Sequence, residues 1–258
     1  MRALLIVLAS ALLAVAGCAS VPADATSNGA QQVDAQRRAE IRLQLASAYF
    51  AEGQYATALA ELDQAYLTGQ RRADVLGLRA LVLMQQGDPA AATRSLKQAL
   101  QTEPDHPGLL NNMGWLLCET GHYEEGQSYF RRALANRSYA SPAKALLNAG
   151  RCSERAGRHD EAVEFFHQAL KVDPSQLGAH ASLARLAFEA GDYARAKAHM
   201  LRVLSGDRPE KDDYLMAMAI ERKLGDAAAE QSLAQQWKKR FTGTAREPGA
   251  VLDNAHER

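Results

Sequence analysis

A surplus of charge of one sign is missing from this chain: 30 Lys and Arg balance 30 Asp and Glu. The balance argues against the basic footprint of a nucleic-acid binder and against a polybasic membrane patch. Aromatic residues are scarce at 6% and prolines number only 8, while alanine and leucine abound, a composition that suits a helical protein. Clustered acids, a nucleophile beside a base, a metal-ligand set and a phosphate-binding loop are all lacking, which makes an enzyme the weakest reading. No cofactor and no small-molecule substrate are expected. A run of apolar residues long enough to span a bilayer is also absent, since the one candidate, from Ala3 to Ala16 and broken by Ser10, is too short and wrongly flanked.

That short run reads instead as a secretory signal. Arg2 supplies the positive start, and the apolar core ends in Val15, Ala16, Gly17 and Cys18. These four residues resemble the bacterial lipobox, which implies cleavage after residue 17 and lipid attachment at Cys18. Several acyl chains on one cysteine hold a protein on a bilayer stably, where a single chain does so only marginally. Ala19 stands where an aspartate would favour the inner membrane, so the resemblance implies the outer membrane, with the chain on its periplasmic face. Residues 18–38 are rich in Ala, Gln, Asp, Ser, Thr and Asn without an apolar stripe, and read as a flexible tether.

Beyond the tether an internal repeat sets the organisation. Gly53, Gly87, Gly121, Gly157, Gly191 and Gly225 are separated by 34, 34, 36, 34 and 34 residues. Seven positions before the glycine stands a small residue in Ala46, Ala80, Gly114, Gly150 and Ala184, and five after it another in Ala58, Ala92, Gly126, Ala162 and Ala196. A further alanine follows at twelve, in Ala65, Ala99, Ala133 and Ala169. Small side chains let helix axes approach within about 8 to 10 Å. Leu62, Leu96, Phe130, Phe166 and Met200, nine positions after the glycine, are expected to fill the core between repeats. Pro104 and Pro174 stop helices near repeat ends.

This grammar is the tetratricopeptide pattern, a helix, a turn and a second helix in 34 residues. It predicts an all-α, right-handed superhelical solenoid of six repeats at 39–72, 73–106, 107–140, 143–176, 177–210 and 211–244. The last is degenerate, with Met218, Glu230 and Trp237 at positions small elsewhere, and reads as a cap. Residues 245–258, polar and bearing glycine and proline, read as a disordered tail. The one irregular step, two residues longer than the others, falls in 136–142 before a helix that Ser141 is expected to cap, with Pro142 at its first position.

Cys118 and Cys152 remain after Cys18, an even count for an oxidising compartment. They fall on the first helices of the third and fourth repeats, which lie side by side, so a disulfide between them is geometrically open. A Cys118 and His122 nucleophile–base pair is the weaker alternative, because His122 follows the turn glycine and no acid orients it. His106, His159, His167, His180 and His199 are scattered among repeats, and no metal site is expected.

First helices line the inner wall of such a solenoid. Leu43, Phe50, Leu81, Met84, Asn111 and Trp115 are expected there as an apolar partner groove, giving way to charge from Leu147 and Arg151 onward, with Lys144, Glu154 and Arg155.

The stretch Asn111-Asn112-Met113-Gly114-Trp115-Leu116-Leu117-Cys118 resembles the signature of the type IV pilus biogenesis and stability lipoproteins, the PilF or PilW family. Cys152, in Asn148-Ala149-Gly150-Arg151-Cys152, sits where that family also carries a cysteine. Met113 departs from it, replacing a usual aromatic. The resemblance implies a pilotin: an outer-membrane lipoprotein that binds subunits of the pilus secretin, PilQ, and promotes their localisation and assembly into a ring. A general tetratricopeptide lipoprotein scaffold for periplasmic envelope or peptidoglycan assembly is the alternative.

Overall fold

The computed structural model describes residues 23–241, and each turn glycine within them takes a left-handed backbone, with φ between +74° and +84° at Gly53, Gly87, Gly121, Gly157, Gly191 and Gly225. A side chain at these positions would be strained, and glycine is not. The residue after each glycine then donates its N–H to the carbonyl five positions back: Gln54 to Tyr49, Asp88 to Leu83, His122 to Leu117, Arg158 to Ser153, Asp192 to Ala187 and Asp226 to Glu221, at 2.8 to 3.0 Å. One chain reversal is thus made six times by one device, a glycine-terminated helix end.

Between the reversals the described residues form twelve helices: α1 (Ala23–Ala51), α2 (Tyr55–Leu67), α3 (Arg72–Gln85), α4 (Pro89–Thr102), α5 (Pro107–Glu119), α6 (Tyr123–Ala135), α7 (Pro142–Arg155), α8 (His159–Val172), α9 (Leu177–Glu189), α10 (Tyr193–Leu204), α11 (Lys211–Leu224) and α12 (Ala227–Phe241). Odd and even helices pair in order. None of them is long and apolar enough to cross a membrane.

Packing inside each pair follows a size rule that reads directly from the residues. Where the first helix carries alanine, at Ala46, Ala80 and Ala184, the second offers Leu62, Leu96 and Met200, all buried. Where it carries glycine, the second offers phenylalanine: a Cβ on Gly114 would lie 2.8 Å from the Phe130 ring, and one on Gly150 2.5 Å from that of Phe166. Glycine therefore makes room for the larger ring, and both rings are at most 1% exposed. Each such side chain contributes about 1.5 to 3 kcal/mol by leaving water.

The third and fourth pairs carry the two-residue insertion and are also the most heavily cross-linked. Cys118 and Cys152 are joined, with Cα atoms 5.5 Å apart. Gly126 replaces the alanine of the other repeats because the bridge occupies that space: a Cβ there would come 2.5 Å from the Cys118 Sγ and 2.9 Å from the Gly114 carbonyl. Beside it, the Gln127 side chain donates to the Ala149 carbonyl at 2.8 Å and to the Ser153 hydroxyl at 2.7 Å, and Ser153 donates to Glu161 at 2.8 Å. Desolvation opposes the charge of Glu161, but hydrogen bonds from Arg158 and Ser153 and the Arg158 charge outweigh it and hold its pKa below the usual carboxylate value. Within the insertion the Asn136 side chain accepts from the Ser138 N–H at 3.0 Å.

Two expectations are corrected. The segment 18–38 is not a flexible tether throughout, because α1 is helical from Ala23. It lacks an apolar stripe, yet Ala, Gln and Arg favour helix, Asp34 and Arg38 pair one turn apart at 2.9 Å, and a helix docked through Ala39, Leu43 and Ala46 extends without a new nucleation cost. Pro142 does open α7, but the Ser141 side chain makes no capping hydrogen bond. The signal at 1–17, Cys18 and the tail at 245–258 lie outside the described residues. At the other end, α12 has no buried residue and rests on α11 through Leu233.

Closing a loop over a separation of 34 residues stabilises by roughly 3.5 to 4 kcal/mol in the chain-entropy model. Replacing both cysteines, Cys118→Ser with Cys152→Ser, is expected to lower the urea midpoint accordingly, and an unchanged midpoint would remove the bridge from the account. Gly126→Ala in the oxidised protein should cost about 1 to 3 kcal/mol in the same assay, while in the cysteine-free protein the cost should shrink.

Candidate partner-binding groove

Curvature follows from which helices touch. Each first helix packs closely against the first helix of the next pair, from α1 against α3 through to α9 against α11, whereas second helices stand farther apart and meet only through long side chains, as where Gln98 of α4 donates to the Tyr66 hydroxyl of α2 at 2.9 Å. The first-helix side is therefore the shorter, inner wall.

The expected groove residues divide on this wall. Phe50, Leu81, Met84 and Trp115 are partly exposed, Phe50 tilted against Tyr55 with ring centroids 6.0 Å apart and Trp115 bridging the two clusters around Leu116 and Phe130. Arg151 is exposed. Leu43, Asn111 and Leu147 are not groove residues: they are 9%, 2% and 8% exposed and belong to the core. Asn111 is withdrawn because its side-chain oxygen accepts from Asn148 at 3.0 Å across the joint, and Leu147 because it packs onto Gly178, where a Cβ would lie 2.9 Å from it.

Toward the C-terminal half the wall becomes a charged depression of about 570 Å³ lined by Arg151, Glu154, Arg155, Arg185, Asp212 and Asp213 among others. Arg155 pairs with Glu119, and Arg185 with Glu154 and, at 3.0 Å, with Glu189. Arg151 makes no ion pair or hydrogen bond among the described residues. Desolvation by the packed helices, then the neighbouring charge of Arg155 and Arg185, pulls its pKa below the usual arginine value, although Glu119 opposes this. It remains charged at neutral pH. An unmatched cation beside partly exposed apolar residues is suited to gripping a polypeptide that carries a carboxylate.

Cys118 cannot act as a nucleophile, being tied to Cys152, and His122 faces the Thr120 hydroxyl at 3.1 Å. Three of the scattered histidines, by contrast, are brought together. His180 and His199 face each other through their Nδ1 atoms at 3.0 Å, and the His167 ring lies 6.4 Å from that of His199. Their spacing along the chain hides this, because they sit on α8, on the first turn of α9 and on α10; aligning the repeats so that neighbouring helices stack is the one signal that would have found them.

Burial first, then His180, His167 and Arg195, lower the pKa of His199 from its usual 6.5. A lowered native value means that the unfolded chain binds the extra proton more readily. The stabilising contribution is present above about pH 6.5 and is lost as the pH falls through the lowered native value. Thermal unfolding followed from pH 7.5 to 5 should show a drop that His199→Gln diminishes; identical pH profiles for the two proteins would contradict this.

Comparison with known proteins agrees with the geometry. Tetratricopeptide repeat models match residues 43–107, 83–151 and 155–220. The chain is 22% identical over 202 residues to the type IV pilus assembly protein PilF of Pseudomonas aeruginosa, covering 78% of this chain and 80% of that one. The crystal structure of PilW, described as a widely conserved type IV pilus biogenesis factor, superposes with a TM-score of 0.68 at 28% identity, covering 81% of this chain and 95% of PilW. The Pseudomonas aeruginosa PilF structure shares the fold with a TM-score of 0.68 at 21% identity, covering 82% and 95%. Six glycine-terminated helix pairs, matched by repeat models over more than half the chain, place this protein in the tetratricopeptide repeat family, and over most of its length it is similar to PilF and PilW.

Proposed function

We propose that this chain is an outer-membrane lipoprotein of type IV pilus biogenesis, a pilotin that binds subunits of the pilus secretin and promotes their localisation and multimerisation. The observation that carries the reading is similarity to PilW over 95% of that protein's length, together with a curved inner wall whose partly exposed apolar residues and unmatched arginine suit a protein ligand. It acts by binding and not by catalysis. Acyl chains on Cys18 hold it on the periplasmic face of the outer membrane, and a partner captured there meets further partners at a raised local concentration, which favours assembly without chemistry. Phe50, Met84 and Trp115 supply the apolar contacts, and Arg151 receives a partner carboxylate.

Deleting the gene should leave the secretin as unassembled monomer, read as loss of heat-resistant multimers on a gel; normal multimers in the mutant would overturn the reading. Cys18→Ala tests the anchor separately, and should leave multimers reduced or in the wrong membrane. Trp115→Ala and Arg151→Glu should each weaken secretin binding on the order of tenfold with the fold intact by circular dichroism, whereas wild-type affinity in both would exclude the inner wall as the contact surface.

A further inference from the structure

The histidine cluster is independent of the groove. Pro174 offers its carbonyl to the His180 Nε2 at 3.3 Å. A carbonyl only accepts, so Nε2 carries the proton and the His180 Nδ1 is left as a lone pair. The His199 Nδ1, 3.0 Å away, must then donate to it. This is the arrangement of a metal-ligating imidazole, whose far nitrogen is held by a carbonyl while the near one is free to coordinate.

The separation fits the same reading. With metal–nitrogen bonds near 2.0 to 2.1 Å, two adjacent ligands of a tetrahedral or square-planar ion stand about 2.9 to 3.4 Å apart. The observed 3.0 Å falls inside that interval. His167 is exposed and its ring is 6.4 Å from the His199 ring, near enough for side-chain rotation to bring in a third nitrogen. Among the described residues no three His, Cys, Asp or Glu side chains are grouped so that they could hold a metal ion as they stand, so His167 must move to become a third ligand and water would complete the shell. Arg195 is the cation that opposes entry.

We propose that His180 and His199, with His167 as third ligand, form a site for a late first-row divalent cation such as Zn²⁺ or Cu²⁺. On binding, His199 moves its proton from Nδ1 to Nε2, so that both facing lone pairs reach the metal and no net proton is released near neutral pH. Because the ligands come from α8, α9 and α10, the ion clamps the fourth helix pair to the fifth.

The test uses the purified, chelator-stripped protein titrated with Zn²⁺ at pH 7.5, read by calorimetry and by thermal unfolding. One equivalent should bind in the micromolar range, raise the unfolding temperature by roughly 3 °C and be reversed by EDTA. The double change His180→Ala with His199→Ala should abolish both signals, His167→Ala should weaken binding roughly tenfold, and His106→Ala should leave it unchanged. Nuclear magnetic resonance of the imidazole protons gives a second readout that does not depend on stability. Binding that survives loss of both facing imidazoles, or no saturable uptake by the wild-type protein, would overturn the site; equal affinity in the His167→Ala protein would overturn the three-imidazole set.

Discussion

Two helices of twelve to fifteen residues, the size of all but α1, cannot cover one another's apolar surfaces, and a pair is left with a face that only its neighbour can bury. The contacts show how this is met: every second helix packs against the following first helix, and every first helix also touches the first helix two elements on. Stability is therefore passed from neighbour to neighbour, and curvature arises because the first-helix side of the stack closes more tightly than the other. The size rule inside the pairs, alanine facing leucine or methionine and glycine facing phenylalanine, keeps the crossing tight enough for this to work. The inner wall is a by-product of the same packing.

One joint departs from regularity, and several interactions converge on it. The insertion at 136–142 lengthens the connection between the third and fourth pairs, which would loosen their register. The Cys118–Cys152 bridge, the hydrogen bond between buried Gln127 and Ser153 that continues to Glu161, the Asn111–Asn148 contact and the Arg155–Glu119 pair all converge on this joint. Buried polar groups satisfied by one another specify a single arrangement, since any slip leaves several of them without partners. Trp115 and Arg151, the two most distinctive groove side chains, stand on the helices that this joint fixes.

Much of this was legible in the residues. Turn glycines announce themselves through a period of 34, because glycine adopts the left-handed backbone at the helix end at least cost, and alternation of small and large side chains follows from helix crossing. What the residues alone do not show depends on contacts between positions distant in sequence. Asn111 looks like a groove residue by position, but its partner Asn148 lies 37 positions away. Leu147 is hidden because Gly178 in the next pair leaves it a place to pack. The helix before Ala39 leaves no signal in an apolar stripe because its composition is too polar for a core, yet helix propensity needs no core once one end is docked. His167, His180 and His199 show no local motif at all.

Hydrogen exchange along the helices tests the central claim most directly, because nearest-neighbour stacking predicts a gradient of protection. Amides of α5 through α8 should exchange most slowly, those of α1, α2, α11 and α12 fastest, and reduction of the disulfide should narrow the difference. Equal protection from end to end, or terminal pairs that outlast the central ones, would contradict the account.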